Sequence, residues 1–408
     1  MQNHLIYLIK IYFLKYRGLS RLCYFGFIFS LFESIFIGIY YYLPIYFIDF
    51  VHLDLTSSGL IISCYGIGAI LGGFAGGKLS DAWAPGIVSA VCLFLQGIVY
   101  LVFLKIQAII FLMINVFVLG IVSYGFITAN HLFTLSYSSD SDNERLKVIN
   151  ILSMTSNLGL GLSAIIMGEI YEIGFHYIFL LAGFILFILS FVSFISCRSH
   201  SLENFSGVYN KKFTVKTTKL PTHKANHQVA VLILSSVFFI GLIISQLSTT
   251  YSTYIREIYP EQGIKAITIL FALNSLMVVV LGVPLGDCIK KFNKIMMVGI
   301  GGFFIGCGMF ILIFASSFIM VVLACVVYTI GEIIFFSMAQ YVCYQNSSSN
   351  KRGTSLGLYR MVYASSRVIG PAIGAATYAK YGGECIWIVS GIIGVSCLIS
   401  ANYFKKFN

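Results

Sequence analysis

Four ionisable side chains sit inside long apolar runs: Glu33, Glu332, Arg360 and Arg367. Charge at membrane depth is costly, and its default reading is functional. Glu33 stands twelve residues beyond Arg21, ~18 Å along a helix that rises ~1.5 Å per residue. Ser30 and Tyr40 fall on roughly its face. A carboxyl withdrawn from water favours its protonated form, so an acid at this depth is placed to take up and release a proton; the other reading is an acid paired with a base for structure alone. Glu332 lies in the run "YTIGEIIFF". Arg360 and Arg367 are seven apart and share a helix face with Ala364 and Pro371. Glu332 and Arg360 stand at similar depth, ~9–12 Å from one end of their runs, and an intramembrane charge pair between them is expected because either charge alone would be very costly. Arg367 stands ~20 Å in, near the depth of Glu33. It is either the counter-ion of Glu33 or the grip for an anionic substrate group, and the residues leave both open. Gln96, Asn115, Asn130, His131, Gln246, Asn274 and Gln340 also fall inside apolar runs. For each one alone, hydrogen bonding between helices is the ordinary reading, and His131 is read as interfacial.

The elements that must position these groups are membrane helices. Of 408 residues, 58% are hydrophobic and 10% charged, whereas a soluble domain carries about one quarter charged residues to face water. Lipid must cover this surface. A bilayer core ~30 Å thick takes ~20 apolar residues per helix, which gives room for about a dozen spans. Twelve are read: roughly 22–47, 57–77, 86–104, 108–134, 147–168 and 177–196, then 229–253, 265–286, 294–315, 318–341, 354–379 and 385–403. The division expected is a cytoplasmic segment 1–21 lying on the membrane face, a six-helix half 22–196, a polar basic linker 197–227, a second half 228–403 and a tail 404–408. Twenty of the 26 basic residues fall on the side of the termini; Lys105, Arg256, Lys265 and Lys380 fall on the other, with Arg360 and Arg367 inside a span. By the positive-inside rule both termini are cytoplasmic. This distribution accounts for the net charge of +11 without nucleic acid. The ten cysteines are scattered with no Cys-x-x-Cys, which reads as packed thiols and no metal or disulfide framework. There is no phosphate-binding loop and no His-Glu-x-x-His, so an enzyme or ATP-driven pump is not expected, nor a cofactor.

The turn "GGKLSDAWAPG" at 76–86 has a counterpart in "LGVPLGDCIKKFNK" at 281–294: Gly76, Leu79 and Asp81 match Gly282, Leu285 and Asp287, 206 residues on, and Arg145 matches Arg352, 207 on. An internal duplication follows, and repeated halves around a midplane site are a transporter architecture. Past the end of span two, where a helix C-terminus carries partial negative charge, Asp81 is suited to meet another helix's N-terminus or an Arg.

On these features the chain resembles the major facilitator superfamily over nearly its whole length: six plus six spans, a long basic central loop, and the family's Gly-x-Leu-Ala-Asp signature, here Gly77-Lys78-Leu79-Ser80-Asp81. The resemblance implies that Gly77, Leu79, Asp81 and the second copy's Asp287 form a cytoplasmic gate. The basic continuation of the signature is missing at Ala82–Pro85, while the second copy keeps Lys290, Lys291 and Lys294. Glu33 resembles the first-span acid of the family's drug–proton antiporters. "GPAIGAATY", from Gly370, resembles the antiporters' Gly-Pro-x-x-Gly element, but in span eleven rather than span five, which weakens that assignment. Spans one, four, seven and ten line the cavity in the family, so Tyr40, Asn115, Gln246, Thr249 and Tyr328 are expected in the substrate cavity with Arg367. The expectation is an all-α carrier of the inner membrane, monomeric, alternating its access, with a small molecule, protons and lipid as partners. Proton-coupled export of a drug-like compound or secreted metabolite such as a siderophore is favoured. Import of a nutrient or iron-chelate by proton symport, with Arg367 on an anion, is the alternative, and a non-transporting sensor a further one.

Overall fold

The computed structural model describes residues 19–138, 142–171, 173–204, 227–289, 291–345 and 352–405. The N-terminal segment 1–18 and most of the linker lie outside the described residues. Twelve helical spans are present among those described. Span one is built of Arg21–Ile37, a 3-10 turn Gly38–Tyr42 and Leu43–Asp49. Spans two to six are Leu55–Ala82, Pro85–Val102, Ile109–Ser136, Asp142–Ile170 and Phe175–Asn204. Span seven is His227–Ser245, a 3-10 turn Gln246–Ser248 and Thr250–Ile258. Spans eight to twelve are Gly263–Ile289, Lys294–Ile311, Phe318–Gln345, Arg352–Tyr381 and Gly383–Phe404. Span six runs helical to Asn204, into the first residues of the segment read as linker. Eleven of these spans are long and apolar enough to cross a membrane. Span eleven is as long but carries Arg360 and Arg367.

Local chemistry sets the helix ends. Asp54 caps span two by accepting from the Ser57 N–H at 3.1 Å, and Asn293 caps span nine by accepting from Met296 at 3.0 Å; each satisfies an N–H that the first turn leaves without a partner. The "DAWAPG" turn closes because Trp83 is extended and Pro85 opens span three, where the missing proline N–H is no loss.

The packing repeats between halves. Span two lies on four as eight lies on ten, three on six as nine on twelve, and one on five as seven on eleven. The halves meet chiefly through two equivalent contacts, span two on eleven and span five on eight. Those contacts run from the centre of the bundle to the end away from the termini, where Gly59 meets Pro371 and Ala375, and Gly168 meets Thr268. The central site therefore lies beneath a closed end.

Spans two and four pack backbone to backbone. A Cβ on Gly120 would stand 2.2 Å from the Tyr65 carbonyl oxygen, whereas one on Gly73 would meet nothing within 4 Å. Gly120→Ala is expected to force the two helices apart and destabilise the protein by about 1–3 kcal/mol, with Gly73→Ala within about 1 kcal/mol of the parent. Thermal unfolding in detergent measures both; equal effects would show that the close approach carries no weight.

Candidate functional site

The site is organised by two breaks. In span one, Gly38 lets the chain pass Ser163 of span five, whose hydroxyl would lie 2.3 Å from an added Cβ. Pro44 follows in the first turn of the next segment and supplies no N–H to the preceding turn. Between them Tyr40, Tyr41 and Tyr42 sit in a tightened 3-10 turn, whose three residues per turn fan consecutive side chains apart. Tyr40 packs on Tyr65 of span two at 4.3 Å between ring centroids, and Tyr41 on Phe271 of span eight at 5.4 Å. In span seven, Gln246 holds the break: its Nε2 donates to Leu242 and Gly370 carbonyls at 3.0 Å each, and its Oε1 accepts from Thr250 at 3.0 Å. The two broken turns touch one another.

Beside the break in span one lies a cavity of about 160 Å³ whose walls include Ser30, Glu33, Tyr40, Tyr124, Asn130 and His131, with Arg367 reaching in from span eleven. Glu33 is 1% exposed, and its Oε1 accepts from Gln96 Nε2 at 3.5 Å. Among the described residues no cation pairs with it. A second cavity, about 90 Å³, lies between the two breaks, lined by Gly38, Tyr41, Ser245, Ser248, Asn274, Glu332 and again Arg367. Glu332 Oε2 accepts from Asn274 Nδ2 at 3.0 Å, and that same nitrogen lies 2.9 Å from Thr329 Oγ1.

Arg367 is common to both cavities. Its guanidinium stands over the Tyr40 ring at 5.4 Å and the Tyr65 ring at 5.6 Å, and Nη1 donates to Tyr124 Oη at 3.5 Å. Its backbone is set by span two. A Cβ on Gly66 would fall 2.8 Å from Val368 N, so only glycine admits this approach. Pro371 has no N–H for the Arg367 carbonyl four residues back, and Ser63 accepts from the next amide, Ala372, at 3.1 Å.

The structure thus brings Glu33, Tyr40 and Arg367 together and sets other expected site residues elsewhere. Asn115 donates to the Val99 carbonyl at 3.1 Å, tying span four to span three. Gln246 supports the break rather than lining a cavity. Thr249 is fully buried at the irregular residue after the turn, and Tyr328 is fully buried against Tyr251. Neither of the two cavities touches these four. Glu332 and Arg360 do not pair. Span ten turns Glu332 toward span eight, where Asn274 meets it, while Arg360 is exposed and its charge reaches His131 in the other half. His131 itself lines the Glu33 cavity and is not merely interfacial. Gly77 and Leu79 lie on the last turns of span two, with Leu79 exposed. The side chains of Asp81 and Asp287 fall outside the described part. The cavity tyrosines 41, 65, 124 and 363, with Phe271, carried no sequence signal, because aromatics are abundant in every span.

At the closed end Arg256, from the segment of span seven after its break, grips Asp49, from that of span one: Nη1 donates at 3.0 Å and Nη2 makes an ion-pair contact at 2.9 Å. Tyr171 also donates to Asp49, at 2.7 Å. Burial, then the bond to Asp49, pushes the Tyr171 phenol up to about 12, so it keeps its proton and its bond across the physiological range.

Two repeated six-helix halves, closed at one end over a cavity that holds buried charge between broken helices, define a membrane carrier. Residues 22–371 match the Major Facilitator Superfamily, and the chain belongs to that family as one of its membrane transporters. A relative in Bacillus subtilis (strain 168), the uncharacterized MFS-type transporter YttB, is 24% identical over 343 residues, 81% of either chain. A solved variant of the nucleoside transporter NupG superposes with a TM-score of 0.77 at 12% identity over 94% of this chain and 99% of that one. A POT family transporter in complex with a thioalcohol conjugated peptide superposes at 0.74 and 16% identity over 94% and 96%. At such identities the likeness is one of fold.

Two outcomes test this geometry. Asp49→Arg and Arg256→Asp should each speed hydrogen exchange in 43–58 and 250–262 by about tenfold, the loss of a charged hydrogen-bonded pair, and the double swap should restore it; unchanged single variants would show that the pair does not hold the closed end. The stability losses of Glu332→Gln and Arg360→Gln should add within about 0.5 kcal/mol, whereas those of Glu332→Gln and Asn274→Ala should not.

Proposed function

We propose that the chain is a proton-coupled secondary carrier that moves a small organic molecule across the inner membrane by alternating access, with Glu33 as its proton site. The observation that carries this reading is the Glu33 carboxyl itself. It is buried in the first span, faces a cavity at the centre of the bundle, and has, among the described residues, one amide for a partner and no cation. A purely structural acid at this depth would be expected to sit in an ion pair. Halves that rock about a midplane site then expose that acid to each side in turn. With the termini cytoplasmic, as the basic residues indicate, the Asp49–Arg256 contact closes the outer face and the structure is poised inward. Asp81, with its repeat Asp287, would steady the inner gate when the carrier turns outward.

The placement of an acid in span one points to export by exchange. Co-transport, which under an inward proton gradient is uptake, has a separate observation in its favour: Arg367 lies beside Glu33 with no carboxylate of its own. We favour co-transport on that ground. The solved transporters that share the fold include a nucleoside transporter and a POT family transporter in complex with a thioalcohol conjugated peptide, and a small organic molecule is the cargo proposed for these cavities too.

Proteoliposomes with a trapped pH dye test the coupling. A panel of organic acids, cations, sugars and siderophores should include one that moves protons through the parent protein, and Glu33→Gln should reduce that movement by at least about a hundredfold, since the carboxyl proposed to carry the proton is gone. With orientation fixed, the sign of the pH change separates co-transport from exchange. Undiminished proton movement through folded Glu33→Gln would remove Glu33 from the mechanism.

A further inference from the structure

Among the described residues lining either central cavity, Arg367 is the one permanent cation. Both nearby acids are directed elsewhere: Glu33 to Gln96 and Glu332 to Asn274. Its own contacts are ring faces and a phenol oxygen. Such contacts offset part of the cost of holding a cation away from water but leave its charge uncancelled. A guanidinium presents a planar fork of donors that matches an oxyanion two bonds at a time, and Tyr124 engages Nη1 alone.

From this we infer that the substrate is a small organic monocarboxylate with a ring-bearing body, gripped by Arg367, and that protonation of Glu33 strengthens that grip. The inference rests on the carrier reading and adds the substrate class and the order of charges. One cation with no second one beside it suits a monoanion rather than a phosphate dianion. The cavity between the breaks offers Tyr41, Phe271 and Tyr363 as apolar walls. Glu332 at its side is an acceptor for a hydroxyl or amine on the body of the substrate.

The link to Glu33 follows from position. Glu33 and Arg367 line the same cavity, and Tyr65, whose ring lies under the guanidinium, lines it with them. While Glu33 is ionised, its charge opposes the arrival of an anion at Arg367. A proton on Glu33 removes that opposition, so proton and anion favour each other's binding, and by linkage they do so equally. The other titratable groups facing Glu33 are Tyr65 from span two, Cys92 and Tyr100 from span three, and Tyr124 and His131 from span four. Its own span contributes Tyr40 and Tyr41, and span five contributes Ser156 and Leu160, which do not titrate. His131 is the competitor for the proton-sensing role, and the test separates the two.

Full-length protein in lipid nanodiscs is melted with acetate, hexanoate, benzoate, para-hydroxybenzoate and phenylacetate, each beside its uncharged amide, at mildly acidic and at alkaline pH. At least one ring-bearing acid should stabilise the parent, more at acidic pH, and its amide should not. Arg367→Gln should weaken binding by about a hundredfold, as expected for a charged partner removed from a buried pair. Should that variant fail to fold, Arg367→Lys keeps the charge without the fork and should bind about tenfold more weakly. Glu33→Gln should bind the acid as well at alkaline as at acidic pH. The inference is overturned if no acid stabilises the parent, if amides or organic cations are preferred, if the acid acts unchanged on the Arg367 variants, or if Glu33→Gln keeps the pH dependence and a His131→Gln variant loses it. Acid binding through Arg367 in a protein that moves no protons would keep the substrate class and overturn the proton-coupling reading; proton-coupled flux of a cation would do the reverse.

Discussion

A guanidinium inside an apolar bundle must have its charge offset, and the centre of this protein is arranged around how that is done for Arg367. Two tyrosine rings and a phenol oxygen surround it in place of a carboxylate. Each ring-face contact contributes roughly 2 kcal/mol when shielded from water, which offsets part of the cost of the buried cation without neutralising it. Neighbouring spans meet this requirement in turn. Gly66 allows span eleven to lie close, Gly120 brings span two against span four so that Tyr65 and Tyr124 share one wall, and the tightened turn in span one delivers Tyr40. On the proposed reading, the lack of a carboxylate partner is what leaves the site able to take an anion from outside.

The second organising constraint is the repeat. The helix pairings of one half recur in the other, and the breaks in spans one and seven fall at equivalent places and touch. Asp49 and Arg256 are 207 residues apart, the same spacing that relates Arg145 to Arg352. The closure at the end away from the termini is therefore made by two equivalent positions facing each other across the pseudo-twofold axis. Identical residues there would repel or fail to pair, so the duplicated halves had to diverge at this position for the end to close.

Much of this was legible in the sequence because burial of charge and length of apolar runs are strong constraints. The twelve spans, the two halves, Glu33 and Arg367 could be read from them. Depth along a helix was also readable, but direction around the helix axis was not, and that is why Glu332 was matched with Arg360: the two stand at similar height, yet Glu332 turns to Asn274. Gln246 was expected in the cavity for its polarity and its span, whereas an amide beside a broken turn is taken up by the carbonyls the break frees. The cavity tyrosines were hidden among the aromatics that make up 16% of the chain. The Asp49–Arg256 contact had a signal that could have been used, since the spacing of the repeat leads from one to the other.

On the proposed reading, the arrangement also bears on how a carrier of this kind would avoid leaking protons. Glu33 ionised with no anion bound, and Glu33 protonated with an anion on Arg367, carry the same net charge in the central site. Either half-loaded state differs from these by one unit. Closing the bundle over a changed charge withdraws it from water, and the penalty for that is steep in a low-dielectric interior. The halves would then exchange access most readily when the site is empty or doubly occupied, which is the condition for strict co-transport. Glu332, held by Asn274 throughout, enters all the states alike. The same features that leave Arg367 without a carboxylate, its ring faces and its close backbone approach to span two, would thereby set the stoichiometry: one cation permits one anion, and the proton proposed for Glu33 balances that anion's charge.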